Sequence, residues 1–242
     1  MRLRNIRTSL IALSIGALGA LTASADTTYS VALGNASSQA TITATALDFT
    51  GTNTVTGASS PFALFPDVTV GESATIGSLS NATYPPGVFV PHPTTAFVSF
   101  GTTGDVKIYV NEVFQGAGTA AGCVSAPAPG ETCTPIIGGV KSALTLIDLP
   151  GNQSTAILNL IGFATDSISG KKYSVSGEFS ANFNVPYQTL LAEFARTGSI
   201  TSSYSSSFDF TAVTVPEPGT TGAVLGGLLV LGSALTRRMK RQ

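Results

Sequence analysis

Chemistry in this 242-residue chain falls to carboxylates, hydroxyls and two thiols, because it holds one histidine, His92, and no tryptophan. A single imidazole excludes most nucleophile–base triads and histidine-based metal sites. No H-E-x-x-H, G-x-S-x-G or Walker-type phosphate loop is present. Paired carboxylates could cleave glycosidic bonds, and the candidates are Asp105, Glu112, Glu131, Asp166, Glu178 and Glu193. Their spacing singles out no pair, so solvated surface acids are the default reading. Ser169 and Lys172 match S-x-x-K, but Ser169-Gly170-Lys171-Lys172 reads as a hairpin turn rather than a helix. Asp48, Asn53 and Asp105 could hold calcium in loops, yet no D-x-D-x-D-G pattern exists and Asx-turn duty fits better. Gly116 to Ala121 vaguely resembles a dinucleotide loop, but a Pro-rich Cys segment follows where a helix is needed. No cofactor and no metal is expected.

Cys123 and Cys133 have nine residues between them, and Pro127, Pro129 and Gly130 suit a turn inside that loop. In an exported chain such a pair reads as a disulfide, with free thiols as the alternative. Asn35, Asn81 and Asn152 begin N-x-S/T sequons.

The elements that must position these groups follow a period of two. Val106, Ile108 and Val110 alternate with Lys107, Tyr109 and Asn111; Tyr173, Val175 and Gly177 alternate with serines; Phe208 and Phe210 flank Asp209. Such runs are half-buried strands, and clusters of Gly, Pro, Asn and Asp punctuate them. Residues 156–163 are apolar enough for a central strand. Residues 187–196 break the pattern, because Tyr187, Leu190, Leu191 and Phe194 share one helical face and Gly198 can stop the helix. Residues 59–93 read as loop with one or two edge strands. The expected fold is all-β, an antiparallel β-sandwich or jelly roll of eight to eleven strands with one short capping helix.

Both ends read as addresses. Arg2, Arg4 and Arg7 precede an apolar stretch over residues 10–21, and Ala23 and Ala25 sit where a signal peptidase reads, so residues 1–25 are a signal peptide. At the other end Val215-Pro216-Glu217-Pro218-Gly219-Thr220 precedes an uncharged run over 221–236 and then Arg237, Arg238, Lys240 and Arg241. At ~1.5 Å rise per residue that run reaches ~25 Å, against a hydrocarbon core of ~30 Å. It is a short transmembrane helix with flanks that snorkel. The basic tail, 237–242, acts as a membrane stop and stays cytoplasmic, which places the body outside the inner membrane. Pro216 and Pro218 exclude helix and sheet hydrogen bonds, so Glu217 lies in an extended, accessible segment.

This order of elements, over about a tenth of the chain, resembles the PEP-CTERM sorting signal of Gram-negative bacteria. The resemblance implies a membrane-embedded exosortase as partner, cleavage near Pro216, Glu217 and Pro218, and passage to the cell surface or exterior. It also implies an association with exopolysaccharide.

Residues 26–214 remain as one exported domain. They carry five basic and twelve acidic residues, a formal charge of −7. That balance argues against nucleic acid or anionic lipid as partner. The leading expectation is a non-catalytic surface or extracellular-matrix protein. The alternatives are a carbohydrate-binding module and, more remotely, a glycan-active hydrolase. Without tryptophan, sugar stacking would fall to tyrosines, and Tyr84, in a Pro-rich loop, is the best single choice.

Overall fold

Alternating side chains build almost all of the body. The computed structural model describes residues 28–51, 53–58, 68–101, 104–124, 128–137 and 139–213. The signal peptide expected over 1–25 and the sorting motif, apolar run and basic tail expected over 215–242 lie outside the described residues. Among the described residues no helix is long and apolar enough to cross a membrane.

The strands are β1 (Thr28–Thr43), β2 (Ala46–Thr50), β3 (Asn53–Ala58), β4 (Ser73–Ile76), β5 (Leu79–Ser80), β6 (Val98–Phe100) and β7 (Val106–Val113). There follow β8 (Thr132–Cys133), β9 (Ile136–Ile137), β10 (Val140–Lys141), β11 (Thr145–Leu149), β12 (Gln153–Asp166) and β13 (Lys172–Phe183). The helix α1 (Tyr187–Thr197) then leads into the last strand, β14 (Ser199–Ala212). The fold is therefore all-β and antiparallel, with one α-helix among the described residues. β9 and β10 form a separate hairpin, and the other twelve strands form a single sheet.

Two stacked sheets were expected, whereas this one sheet closes on itself. The reason lies in two of its longest strands. β1 keeps β14 along one edge but changes partner on the other, pairing with β3 through Val31–Gly34 and with β2 through Gln39–Ile42. β12 does the same: it keeps β13 on one edge, and on the other pairs with β11 through residues 153–157 and with β7 through residues 160–166. At one pole the ladder runs β13-β14-β1-β3-β4-β6-β7-β12 and returns to β13, a ring of eight strands. At the other pole the sheet is split. There β5-β2 extends from β1 and β8-β11 extends from β12, ending on two-residue edge strands. Closure removes the exposed edges that invite aggregation, and short edges blunt the rest.

The switch in β12 needs a bulge. The register against β7 shifts between Ile161 and Gly162, and a side chain at Gly162 would overlap the Tyr109 carbonyl oxygen. The bulge also corrects one expectation. Asn111 is buried with its neighbours instead of facing solvent, and its amide Nδ2 donates to the Val90 carbonyl at 2.7 Å.

Inside the ring the alternation holds. Val106, Ile108 and Val110, then Tyr173 and Val175, then Phe208 and Phe210 point inward and are at most 3% exposed. Each such side chain contributes about 1.5–3 kcal/mol by leaving water. α1 covers part of the split pole. Tyr187 and Leu190 are fully buried, Leu191 and Phe194 half-buried. Gly198 ends the helix in the left-handed region, and its N–H bonds the Phe194 carbonyl at 2.8 Å.

Both ends of the described body leave from the closed pole. Thr28 faces Thr211 across β1 and β14, and the Val213 N–H donates to the Lys172 carbonyl.

Candidate functional site

The acidic candidates are dispersed. Glu112 stands on β7, Glu178 on β13 and Glu193 on α1, while the Glu131 carboxylate accepts the Ala128 N–H within the disulfide loop. Asp105 accepts a hydrogen bond from the Ser167 hydroxyl. Asp166 is buried and organises the β12–β13 turn. Burial alone would raise its pKa, but the Ser169 hydroxyl and amide, the Ile168 amide and the Lys171 charge outweigh it and hold the carboxyl below its usual value. Ser169, half of the S-x-x-K match, is thus spent on Asp166, while Lys172 begins β13 opposite Thr165.

The calcium candidates separate too. Asn53 is 1% exposed, and its Oδ1 accepts the Tyr204 hydroxyl at 2.8 Å. Burial pushes the Tyr204 pKa up to about 12, with the hydrogen bond to Asn53 acting against it. Among the described residues no group of three or more His, Cys, Asp or Glu is placed to hold a metal.

Cys123 and Cys133 are joined in a disulfide. It packs with Tyr187, whose hydroxyl donates to the Gly122 carbonyl at 2.8 Å. Burial, reinforced by the Glu131 and Asp148 charges, raises the Tyr187 pKa. Asp148 was not singled out by the sequence. It lies on the same face of β11 as Leu146, buried, with one carboxylate oxygen unpartnered. Its place in a mostly apolar strand, Thr145–Leu149, is the signal that could have found it.

The tyrosines expected to stack on sugars are mostly inside the protein. Five of the six, Tyr84 among them, are at most 7% exposed. Only Tyr109 stays half-exposed, stacked on Phe163 with ring centres 5.0 Å apart and planes 12° apart.

Tyr84 instead lines a crevice at the split pole. Three hollows meet there, with Ile42 and Leu144 as walls common to all. The largest measures about 540 Å³ including its open mouth, and lies between β2–β5 and the β9–β10 hairpin. The second, about 370 Å³ with its open mouth, runs under α1 to Phe183, Leu190 and Phe194. The third, about 290 Å³ on the same footing, reaches Phe49 and Phe179. The walls of the second and third are almost wholly apolar, and those of the largest are mixed. Polar groups gather in the largest hollow, where Asn81, Tyr84, Lys141 and Ser142 converge. Burial alone raises the Tyr84 pKa, with no hydrogen bond acting against it. No carboxylate lines any of the three.

Comparison with family models, with curated proteins and with solved structures returns no match.

Proposed function

We propose that this chain is a non-catalytic exported β-domain, delivered by a C-terminal sorting signal to the cell surface or extracellular matrix. The observation that carries the reading is the ordered motif Val215-Pro216-Glu217-Pro218, uncharged run and basic stop Arg237, Arg238, Lys240 and Arg241. A signal peptidase acting after Ala25 releases the N-terminus, and the inner membrane holds the precursor by its C-terminal helix. An exosortase then cleaves near Pro216, Glu217 and Pro218. Exopolysaccharide is the expected setting of the product.

The fold is compatible with this reading. The last described residue, Val213, stands two residues before the motif and beside Lys172 at the closed pole. Glu112, Glu178 and Glu193 stand on three separate elements, and His92 is exposed.

Replacing Pro216, Glu217 and Pro218 together by alanine is expected to leave the protein uncleaved and in the inner membrane, read by fractionation and mass. A triple variant found in the medium at the wild-type mass would end the sorting proposal. The carbohydrate-binding alternative now rests on one observation, the half-exposed Tyr109–Phe163 stack.

A further inference from the structure

The geometry points to a ligand site in the split-pole crevice for an amphipathic carboxylate, its alkyl chain along Ile42 and Leu144 and its head group held by Lys141 and Tyr84.

Ile42, Leu144 and Leu158 form the apolar side of a hollow that opens to solvent. Water needs two to four polar neighbours to remain in such a place, so an apolar lining favours apolar occupants. The adjoining hollow beneath α1 is lined by apolar side chains throughout, including Ala156, Phe183 and Phe194. It extends the space in one direction away from the polar groups. A ligand matching this shape is apolar over most of its length and polar at one end.

The polar end defines the head group. Tyr84 is 6% exposed, and no hydrogen bond to its hydroxyl is found among the described residues. The ring is buried and its hydroxyl reaches solvent at the hollow, where an acceptor from a ligand would complete its hydrogen bonding. Lys141 lines the same hollow and supplies a cation. The Ser142 oxygen accepts the Leu144 N–H, which leaves its own O–H to donate. Three donors and one positive charge select an anionic acceptor.

Charge sharpens the choice. Residues 26–214 carry twelve acids and five bases, yet the crevice lining contains a lysine and no acid. A random patch of this surface would repel a carboxylate, whereas this one does not. The inference is independent of how the protein is sorted.

The test uses the exported chain with its disulfide intact, titrated calorimetrically with octanoate and, separately, with octan-1-ol. Octanoate is expected to bind saturably at one site and more tightly than the alcohol. Lys141→Gln should weaken octanoate about fivefold, the worth of one partly exposed ion pair, and leave octanol unchanged. Leu144→Trp should abolish binding of both while the far-ultraviolet circular dichroism stays that of wild type. A measurement on the unaltered protein covers the event that this variant misfolds: octanoate methylene protons should show nuclear Overhauser contacts to the Ile42 and Leu144 methyl groups. Absence of saturable octanoate binding overturns the site. Equal affinity for octanoate and octanol, or an unchanged Lys141→Gln, overturns the head-group assignment. Contacts from bound octanoate only to residues outside the crevice overturn its position.

Discussion

The closed and split poles are made from the same four long strands and differ in one respect, which neighbour β1 and β12 take on their second edge. At the closed pole those neighbours are β3 and β7, and the ring completes. Its inward side chains, Val31, Leu33, Ile108, Leu160 and Phe208, are essentially without solvent contact. At the split pole the neighbours are β2 and β11, which do not meet. There the apolar side chains are less complete in their burial: Ile42 and Leu47 sit at 9%, and Phe49, Leu144 and Phe194 are only half-buried. One end of the sheet has traded its openness for packing, and the other has kept an apolar hollow. A single chain can therefore hold a rigid scaffold and a receptive mouth without a second domain.

The sharpest way to break this comparison is to remove equivalent bulk from each pole. Phe208→Ala should cost about 3–5 kcal/mol in urea unfolding, since a closed interior cannot collapse into the void. Leu144→Ala, at a half-buried position already facing a hollow, should cost about 1–2 kcal/mol on the same measurement. Equal losses would mean that the poles are packed alike.

Next in size is the disulfide. Replacing Cys123 and Cys133 by serine should remove about 2–3 kcal/mol on the chain-entropy model. The loosening should stay local. Amide exchange should quicken in β8 and β11 and remain slow for residues 208–210 of β14; faster exchange at the closed pole would join the two regions into one cooperative unit.

The smallest effect is titrational. Tyr204 has its pKa raised in the folded state, so its contribution to stability is complete below about pH 10, the unfolded value, and is lost as pH climbs to about 12. Tyr84, Tyr173 and Tyr187 shift in the same direction, chiefly through burial. Phenolate absorbance should therefore rise late and together with loss of the circular dichroism of the fold. Ionisation of all six tyrosines near pH 10 with the fold intact would contradict their burial.

Much of this was legible in the residues. The alternation at Val106, Ile108 and Val110, the apolar run at 156–163 inside β12, the helix at Tyr187 and its glycine stop all carry local signals that survive into the structure. What local signals omit is partnership. Nothing in the period of β1 or β12 says that each will serve two strands on one edge, because a residue's inward direction is the same whichever neighbour it pairs with. The bulge at Gly162 sits in a run that reads as uninterrupted strand. Asn53 meets Tyr204 from 151 residues away, a contact made by closure of the ring and by nothing nearby in sequence. For the same reason Tyr84 read as an exposed ring in a Pro-rich loop. The loop folds back along β7, where Gly87 and Val90 bond the backbone of Val113 and Asn111, and this carries Tyr84 inward.

The meeting of Thr28 with Thr211 at the closed pole also sets how the body responds to load. Drawing its two ends apart opens β1 from β14 as a zip opens, one rung at a time starting at that pair, and each rung resists alone. A pull between the closed pole and the turn joining β11 to β12 runs along the strands instead. It strains many rungs of the β12, β13 and β14 ladders at once, and they share it. The same body is thus compliant when peeled by its own ends and stiff when stretched from pole to pole.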